Sequence, residues 1–190
     1  MIRAFVAVEL PADLRAPLER AQAQLRRATL GVKVSWTKIG NLHLTLQFLG
    51  YVEKSAIPPV SAALAEVAGR HERFDVRVGE LGAFPDVRRP RVVWVGCQDA
   101  SGQLAKLAVD VQGAMQPLGF TPEQRTFTAH LTLARIKVPR PDDALTRAMD
   151  SLTNAVSGTL PVDAVHLLQS ELHPEGSIYT KLSSHNLKEI

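Results

Sequence analysis

Along this chain the spacing of apolar positions changes repeatedly, and each change marks an element. Residues 2–10 are almost continuously apolar and read as a buried strand. Pro11 then opens a helix whose apolar face is Leu14, Leu18, Ala21, Leu25 and Ala28. Pro17 is awkward inside a helix, so the regular part is expected to start nearer Pro17 than Pro11. Gly31 ends it. A short strand is expected over 32–37, a turn at Gly40-Asn41, and a strand over 42–49 closed by Gly50. Val60, Leu64 and Val67 mark a second helix over 55–70, with Pro58 and Pro59 near its start. Residues 74–84 alternate as a strand or a hairpin, 85–90 form a loop, and 91–97 form a strand. A third helical face follows through Leu104, Leu107, Ala108, Val111, Met115 and Leu118, stopped by Gly119. A strand over 127–136 precedes a loop over 139–143. Asp142 or Asp143 then caps a short helix reaching about Asn154. Strands over 162–168 and 178–182 flank the turn His173-Pro174-Glu175-Gly176 and close the chain.

The pattern repeats. His43-Leu44-Thr45-Leu46 recurs as His130-Leu131-Thr132-Leu133, 87 residues on. The same offset lays Arg3-Ala4-Phe5-Val6-Ala7-Val8 on Pro90-Arg91-Val92-Val93-Trp94-Val95, and the first helix roughly on the third. The chain therefore reads as a duplicated unit of strand, helix and histidine-bearing strand. The expectation is one α+β domain over residues 1–190, made of two pseudo-symmetric lobes that share a cleft and join around residues 84–91.

In a strand, successive side chains point to opposite faces, so the leucines of each motif enter a core while histidine and threonine line the other surface. If the copies lie side by side about a pseudo-two-fold axis, two imidazoles and two hydroxyls converge on the cleft. That set suits a tetrahedral anion held by hydroxyl donors, with a proton-transfer group on each side. Histidine fits that task because its ordinary pKa, about 6.5, lies near working pH. His-x-Thr supplies one good metal ligand per motif and no carboxylate cluster accompanies it, so neither metal nor cofactor is expected.

Composition changes this picture little. A 45% apolar and 22% charged chain of 190 residues is ordinary for a soluble globular protein. The net charge of +3 is compatible with a polyanionic partner without demanding one. Cys97, the single cysteine, excludes an intramolecular disulfide and fits a reducing compartment. No run is apolar and long enough to span a membrane or act as a signal. A cytoplasmic monomer with no obligatory protein partner is expected. His71 reads as a helix-end cap and His166 as a core or surface residue of an apolar strand; His173 and His185 sit in turn-like or terminal surroundings. Arg88, Arg89 and Arg91 read as an exposed basic loop that could also steer a polyanionic partner.

The paired motifs resemble the signature of the two-histidine phosphoesterases, in particular the LigT-like RNA 2′,3′-cyclic phosphodiesterases. The resemblance covers nearly the whole chain. It extends through Arg3 to Pro11, Trp36, Phe48-Leu49-Gly50, Gly82-Ala83-Phe84-Pro85 and Arg91-Val92-Val93-Trp94. It continues through His130 to Arg135, then Ser170 to Gly176 followed by Tyr179. It implies antiparallel-rich sheets with outer helices around a central cleft, and an enzyme that opens an RNA 2′,3′-cyclic phosphate to a 2′-phosphate. Reversible 2′-5′ RNA joining is a second activity that it implies. By resemblance His43 is the acid and His130 the base, though nothing in the residues themselves separates the two. Thr45 and Thr132 would bind phosphate, Phe48 would stack on the base, and Arg135 would contact phosphate or the neighbouring nucleotide. Other readings stay open: a non-catalytic RNA-end or nucleotide-binding module, or a phosphodiesterase for another small cyclic nucleotide or a 2′,5′-linked oligonucleotide. Phe48 and Arg135 each lie five residues after a histidine, so simple alternation puts them on the wrong face. A strand end or bulge just before both is needed; otherwise Phe48 belongs to the core.

Overall fold

The computed structural model describes residues 1–138, 141–152, 156–174 and 176–189. The expected helix end near Asn154, the loop start at Pro139 and Glu175 of the closing turn lie outside the described residues. In chain order the elements are β1 (Ile2–Glu9), α1 (Arg15–Ala28), β2 (Val34–Trp36), β3 (His43–Val52), α2 (Ile57–Ala68) and β4 (Phe74–Phe84). There follow β5 (Val92–Gln98), α3 (Gln103–Met115), β6 (His130–Ile136), α4 (Asp143–Leu152), β7 (Ser157–Val162), β8 (Ala164–Glu171) and β9 (Ile178–Asn186).

Pro17 sits in the first turn of α1, where the missing N–H would have had no partner, so the helix tolerates it. Asp142 is the cap of α4: its Oδ1 accepts the Leu145 N–H at 3.0 Å. Residues 74–84 form one strand rather than a hairpin, because a bulge at Glu80 (φ 61°) absorbs the break between Gly79 and Leu81. Gly50 (φ 73°) does not close β3, which runs on to Val52 beyond a second bulge at Leu49. β7 was not foreseen, since Gly158 and Pro161 disguise it. It lies at an end of the sheet, where proline costs no ladder bond, and Gly158 leaves room for Leu14. The expected strand over 162–168 spans the corner between β7 and β8.

All named strands of the described residues join one sheet in the order β7-β4-β5-β6-β3-β1-β8-β9, with β2 added to β6. Every pairing between them is antiparallel. The halves exchange elements. β8 and β9, from the end of the chain, extend the half holding β1 and β3, whereas β4 and β7 extend the half holding β5 and β6. Segment 84–91 therefore links neighbours within one half rather than joining the lobes. α1 packs against α4, and α3 packs against α2 and β3, so each repeat sends its helix across to the other half. The core between helices and sheet is apolar and fully buried at Leu18, Leu25, Leu44, Leu64, Leu107 and Leu131. Each such side chain contributes about 2 kcal/mol by leaving water.

Two features place the site. β3 and β6 pair at a single position, Leu44 with Leu131. These residues are 87 apart, so they are equivalents in the repeat, and the local two-fold axis passes between them. Each motif strand also carries a bulge at the same place. In β1–β3 the register slips between Thr45 and Gln47, leaving Leu46 extra; in β5–β6 it slips between Thr132 and Ala134, leaving Leu133 extra. Two consecutive residues then face the core, Leu46-Gln47 and Leu133-Ala134. Alternation restarts one step out of phase, which turns Phe48 and Arg135 to the exposed side. The bulge of β6 is held from outside the strand: the Leu133 carbonyl accepts the N–H of Thr37, just after β2, at 2.9 Å and Gln22 Nε2 of α1 at 3.0 Å.

Candidate active site

At the junction of the halves the chain encloses a cleft of about 660 Å³. His43, Thr45, His130 and Thr132 all line it, and so do Phe48 and Arg135. The bulges thus resolve the face problem for both residues. Phe48 is 54% exposed and is not part of the core. Antiparallel pairing at Leu44–Leu131 sets each imidazole beside the other copy's hydroxyl, His43 toward Thr132 and His130 toward Thr45.

The imidazoles are held alike. His43 Nδ1 lies 2.7 Å from the Asn41 carbonyl, and His130 Nδ1 lies 2.6 Å from the Thr128 carbonyl. A carbonyl only accepts, so in each ring Nδ1 carries the proton and Nε2 is left to exchange one with whatever occupies the cleft. Asn41 and Thr128 are themselves 87 residues apart. Neither was singled out from the sequence, although the repeat offset applied to positions two before each histidine would have paired them. Asn41 does more than its counterpart: its Nδ2 donates to the Ser177 carbonyl at 2.6 Å, tying the chain beside His43 to the β8–β9 loop.

Aromatic rings fill in around each histidine differently. His43 packs on Phe5 (centroids 4.7 Å) and meets the edge of Tyr179 (5.2 Å). His130 meets Phe84 edge-on at 5.1 Å and lies 6.0 Å from Trp94. Trp94 lies across Gly82, where any Cβ would overlap its ring. Burial is the main cause lowering the His43 pKa below its ordinary value. The Asn41 hydrogen bond opposes that shift, His130 and Arg135 add to it, and Glu9, its cross-strand neighbour, opposes it. His130 is also lowered, by burial first, against its bond to Thr128 and with help from Arg135.

The remaining histidines lie outside this pair. His71 Nε2 bonds Asp110 Oδ2 at 2.8 Å, so it fastens the end of α2 to α3 rather than capping a helix with its ring. His166 is buried 3.9 Å from Glu9, and its Nδ1 has no partner among the described residues. His185 bonds Ser61 at 3.1 Å, and His173 lines the cleft mouth. Arg88, Arg89 and Arg91 do not reach the cleft; the N–H groups of Arg88 and Arg89 close a turn on Asp86. Arg3, Lys38 and Lys137 do line it, and nothing in the sequence around them marks them as site residues. No carboxylate lines the cleft among the described residues, and no group of three or more His, Cys, Asp or Glu is placed there to hold a metal. No helix among the described residues is long and apolar enough to cross a membrane.

Comparison with known proteins agrees with this geometry. The family described as LigT like phosphoesterase matches twice in succession, over residues 8–94 and 95–179, with starts separated by the repeat offset. An RNA 2′,3′-cyclic phosphodiesterase of Aeropyrum pernix is 37% identical over 155 residues, covering 82% of this chain and 87% of that protein. One of the same name from Methanothermobacter thermautotrophicus is 34% identical, covering 95% and 96%. Among solved structures, a Thermus thermophilus protein, TT0787, superposes with a TM-score of 0.80 at 28% identity, covering 99% of each chain. E. coli LigT complexed with 3′-AMP does so at 0.71 and 26%, covering 98% of each. With both motifs on one cleft and both halves matched, the chain belongs to the LigT-like family of two-histidine phosphoesterases.

Proposed function

We propose that this chain is an RNA 2′,3′-cyclic phosphodiesterase that opens a terminal cyclic phosphate to a 2′-phosphate, with 2′-5′ joining as related chemistry at the same site. The observation that carries the reading is the pair of imidazoles, each fixed by the same Nδ1–carbonyl hydrogen bond on either side of a local two-fold axis. They face a cleft lined by hydroxyls and cations.

The reaction is an in-line displacement at phosphorus. His130 Nε2 takes a proton from water as the water oxygen bonds to phosphorus. The bond from phosphorus to O3′ breaks, and His43 gives its Nε2 proton to O3′. The products are a 3′-hydroxyl and a 2′-phosphate, and exchange with solvent restores both imidazoles. Thr45 and Thr132 donate hydrogen bonds to the equatorial oxygens while Arg135 balances their charge. Phe48, turned into the cleft by its bulge, stacks on the terminal base. In this reading the two Nε2 atoms carry the proton transfers, each Nδ1 being committed to a carbonyl, and the reaction calls on no metal.

In this reading residues 1–190 work as one bilobal domain, and a monomer suffices because both halves of one chain build the cleft. A reducing, cytoplasmic setting suits the buried Cys97, whose thiol burial pushes up to about 12. The test is a double-mutant cycle. His43→Ala and His130→Ala should each remove most turnover of an RNA ending in a cyclic phosphate, and the double variant should be little worse than either. Additive losses would mean the histidines act independently. Tight binding of the cyclic end without turnover in the wild type would favour a binding module.

A further inference from the structure

The β2–β6 ribbon runs outward from the site. Ser35 pairs with Arg135, and the Lys137 N–H bonds the Lys33 carbonyl at 2.9 Å, so Lys33 stands directly opposite Lys137. Lys33, Ser35, Arg135 and Lys137 are exposed on one side of the ribbon, while Val34, Trp36, Ala134 and Ile136 pack the other. Two like charges facing each other across a short ribbon destabilise it. No carboxylate lies within ion-pair distance of either lysine among the described residues. Arg135 and Lys137 line the cleft, along with Lys38 and Arg3, and no acidic residue among those described stands beside them there. The chain as a whole carries 22 basic and 19 acidic residues, so this concentration of unpaired cations is local. Solvation and protection of a sheet edge explain single exposed lysines, but they do not set two directly opposite each other beside a cleft without carboxylates among the described residues; a bound anion would offset that repulsion.

Resting on the phosphodiesterase reading, we infer that the ribbon is a second phosphate subsite: Lys33 and Lys137, continuing from Arg135, hold the backbone phosphates on the 5′ side of the reacting end. The preferred substrate is then an oligoribonucleotide rather than a cyclic mononucleotide. The spacing allows it. Thr132 and Lys137 are five residues apart, along β6 and the residue that follows it, at most roughly 17 Å, which a few nucleotides span. The ribbon is the edge where β6 leaves β3, so a chain leaving the reacting phosphate meets it without crossing the sheet.

The test compares a cyclic mononucleotide with RNAs of two to six nucleotides ending in a 2′,3′-cyclic phosphate, across a salt series. For the wild type, kcat/KM should rise with length over the first few nucleotides and then level. The log–log salt slope should steepen by about 0.7 per phosphate engaged. Lys33→Gln and Lys137→Gln should each cut the oligomer-to-mononucleotide ratio about tenfold, the size of one charge-assisted contact. Removing one of two facing lysines should at the same time leave the thermal midpoint equal or raised, which loss of a structural role would not do. Lys106→Gln, on the outer face of α3, is the control and should not alter the ratio. Equal kcat/KM at all lengths, or a length dependence unaffected by the lysine variants, overturns the inference while leaving the phosphodiesterase reading intact. If the lysines instead govern binding of a nucleoside triphosphate and not of RNA, the subsite serves a polyphosphate and the RNA track is wrong. If no cyclic end is turned over, the phosphodiesterase reading fails. Salt-dependent binding of a labelled 3′-phosphorylated oligomer then decides: loss in the lysine variants supports the track, and retention overturns it.

Discussion

Asn41 shows how much of the site depends on one residue that does no chemistry. Its backbone carbonyl accepts a hydrogen bond from His43 Nδ1 at 2.7 Å, and its side-chain Nδ2 donates one to the Ser177 carbonyl at 2.6 Å. The same residue thus fixes the tautomer of an imidazole and the edge of the cleft. Asn41→Ala keeps the backbone carbonyl that holds His43 and removes only the Nδ2 tether to Ser177. The loosened support should lower kcat about 5- to 30-fold, the equivalent of that one hydrogen bond of about 1–2 kcal/mol, with KM little changed. The imidazole proton resonance of His43 should exchange faster in the variant. A rise in KM alone, with kcat and the resonance intact, would mean that Asn41 only shapes the cleft. Thr128 supplies the same carbonyl to His130 without any side-chain tether to the cleft edge, so the two imidazoles are alike in tautomer but not in support.

At the scale of the element, the paired bulges decide the site. They turn Phe48 and Arg135 toward the substrate, and unlike side chains at equivalent positions break a symmetric pair of histidines into two distinct sides. The motif repeat, the core leucines and the helical faces were legible because periodicity reports burial. The exchange of β4 and β7 against β8 and β9 was not, since strand order depends on pairing across long sequence separations and leaves no local pattern. β7 escaped because its glycine and proline read as loop, and the cations of the cleft wall because exposed lysines look alike until their neighbours are known. The packing of Trp94 across Gly82 is likewise tertiary. Gly82→Ala should force the indole to swing away, costing about 1–3 kcal/mol of stability and changing tryptophan emission. Unchanged stability and emission would show that the ring has room to spare.

For the whole molecule, the cleft's field and burial set the working pH. Both histidines sit below about 6.5, chiefly through burial. A base must be neutral and an acid protonated, so the ascending and descending limbs of kcat/KM both move to lower pH, and the bell should centre on the acid side of neutrality. The bound anionic phosphate favours imidazolium, so the kcat profile should lie at higher pH than kcat/KM. A kcat/KM optimum well above neutral would contradict the environment described. The central claim is that this pseudo-symmetric cleft cuts one particular bond, with Phe48 and Arg135 orienting the end. The direct test is phosphorus NMR of the product from a short RNA ending in a 2′,3′-cyclic phosphate. A 2′-phosphate is the predicted product; a 3′-phosphate, or no product at all, would contradict the account.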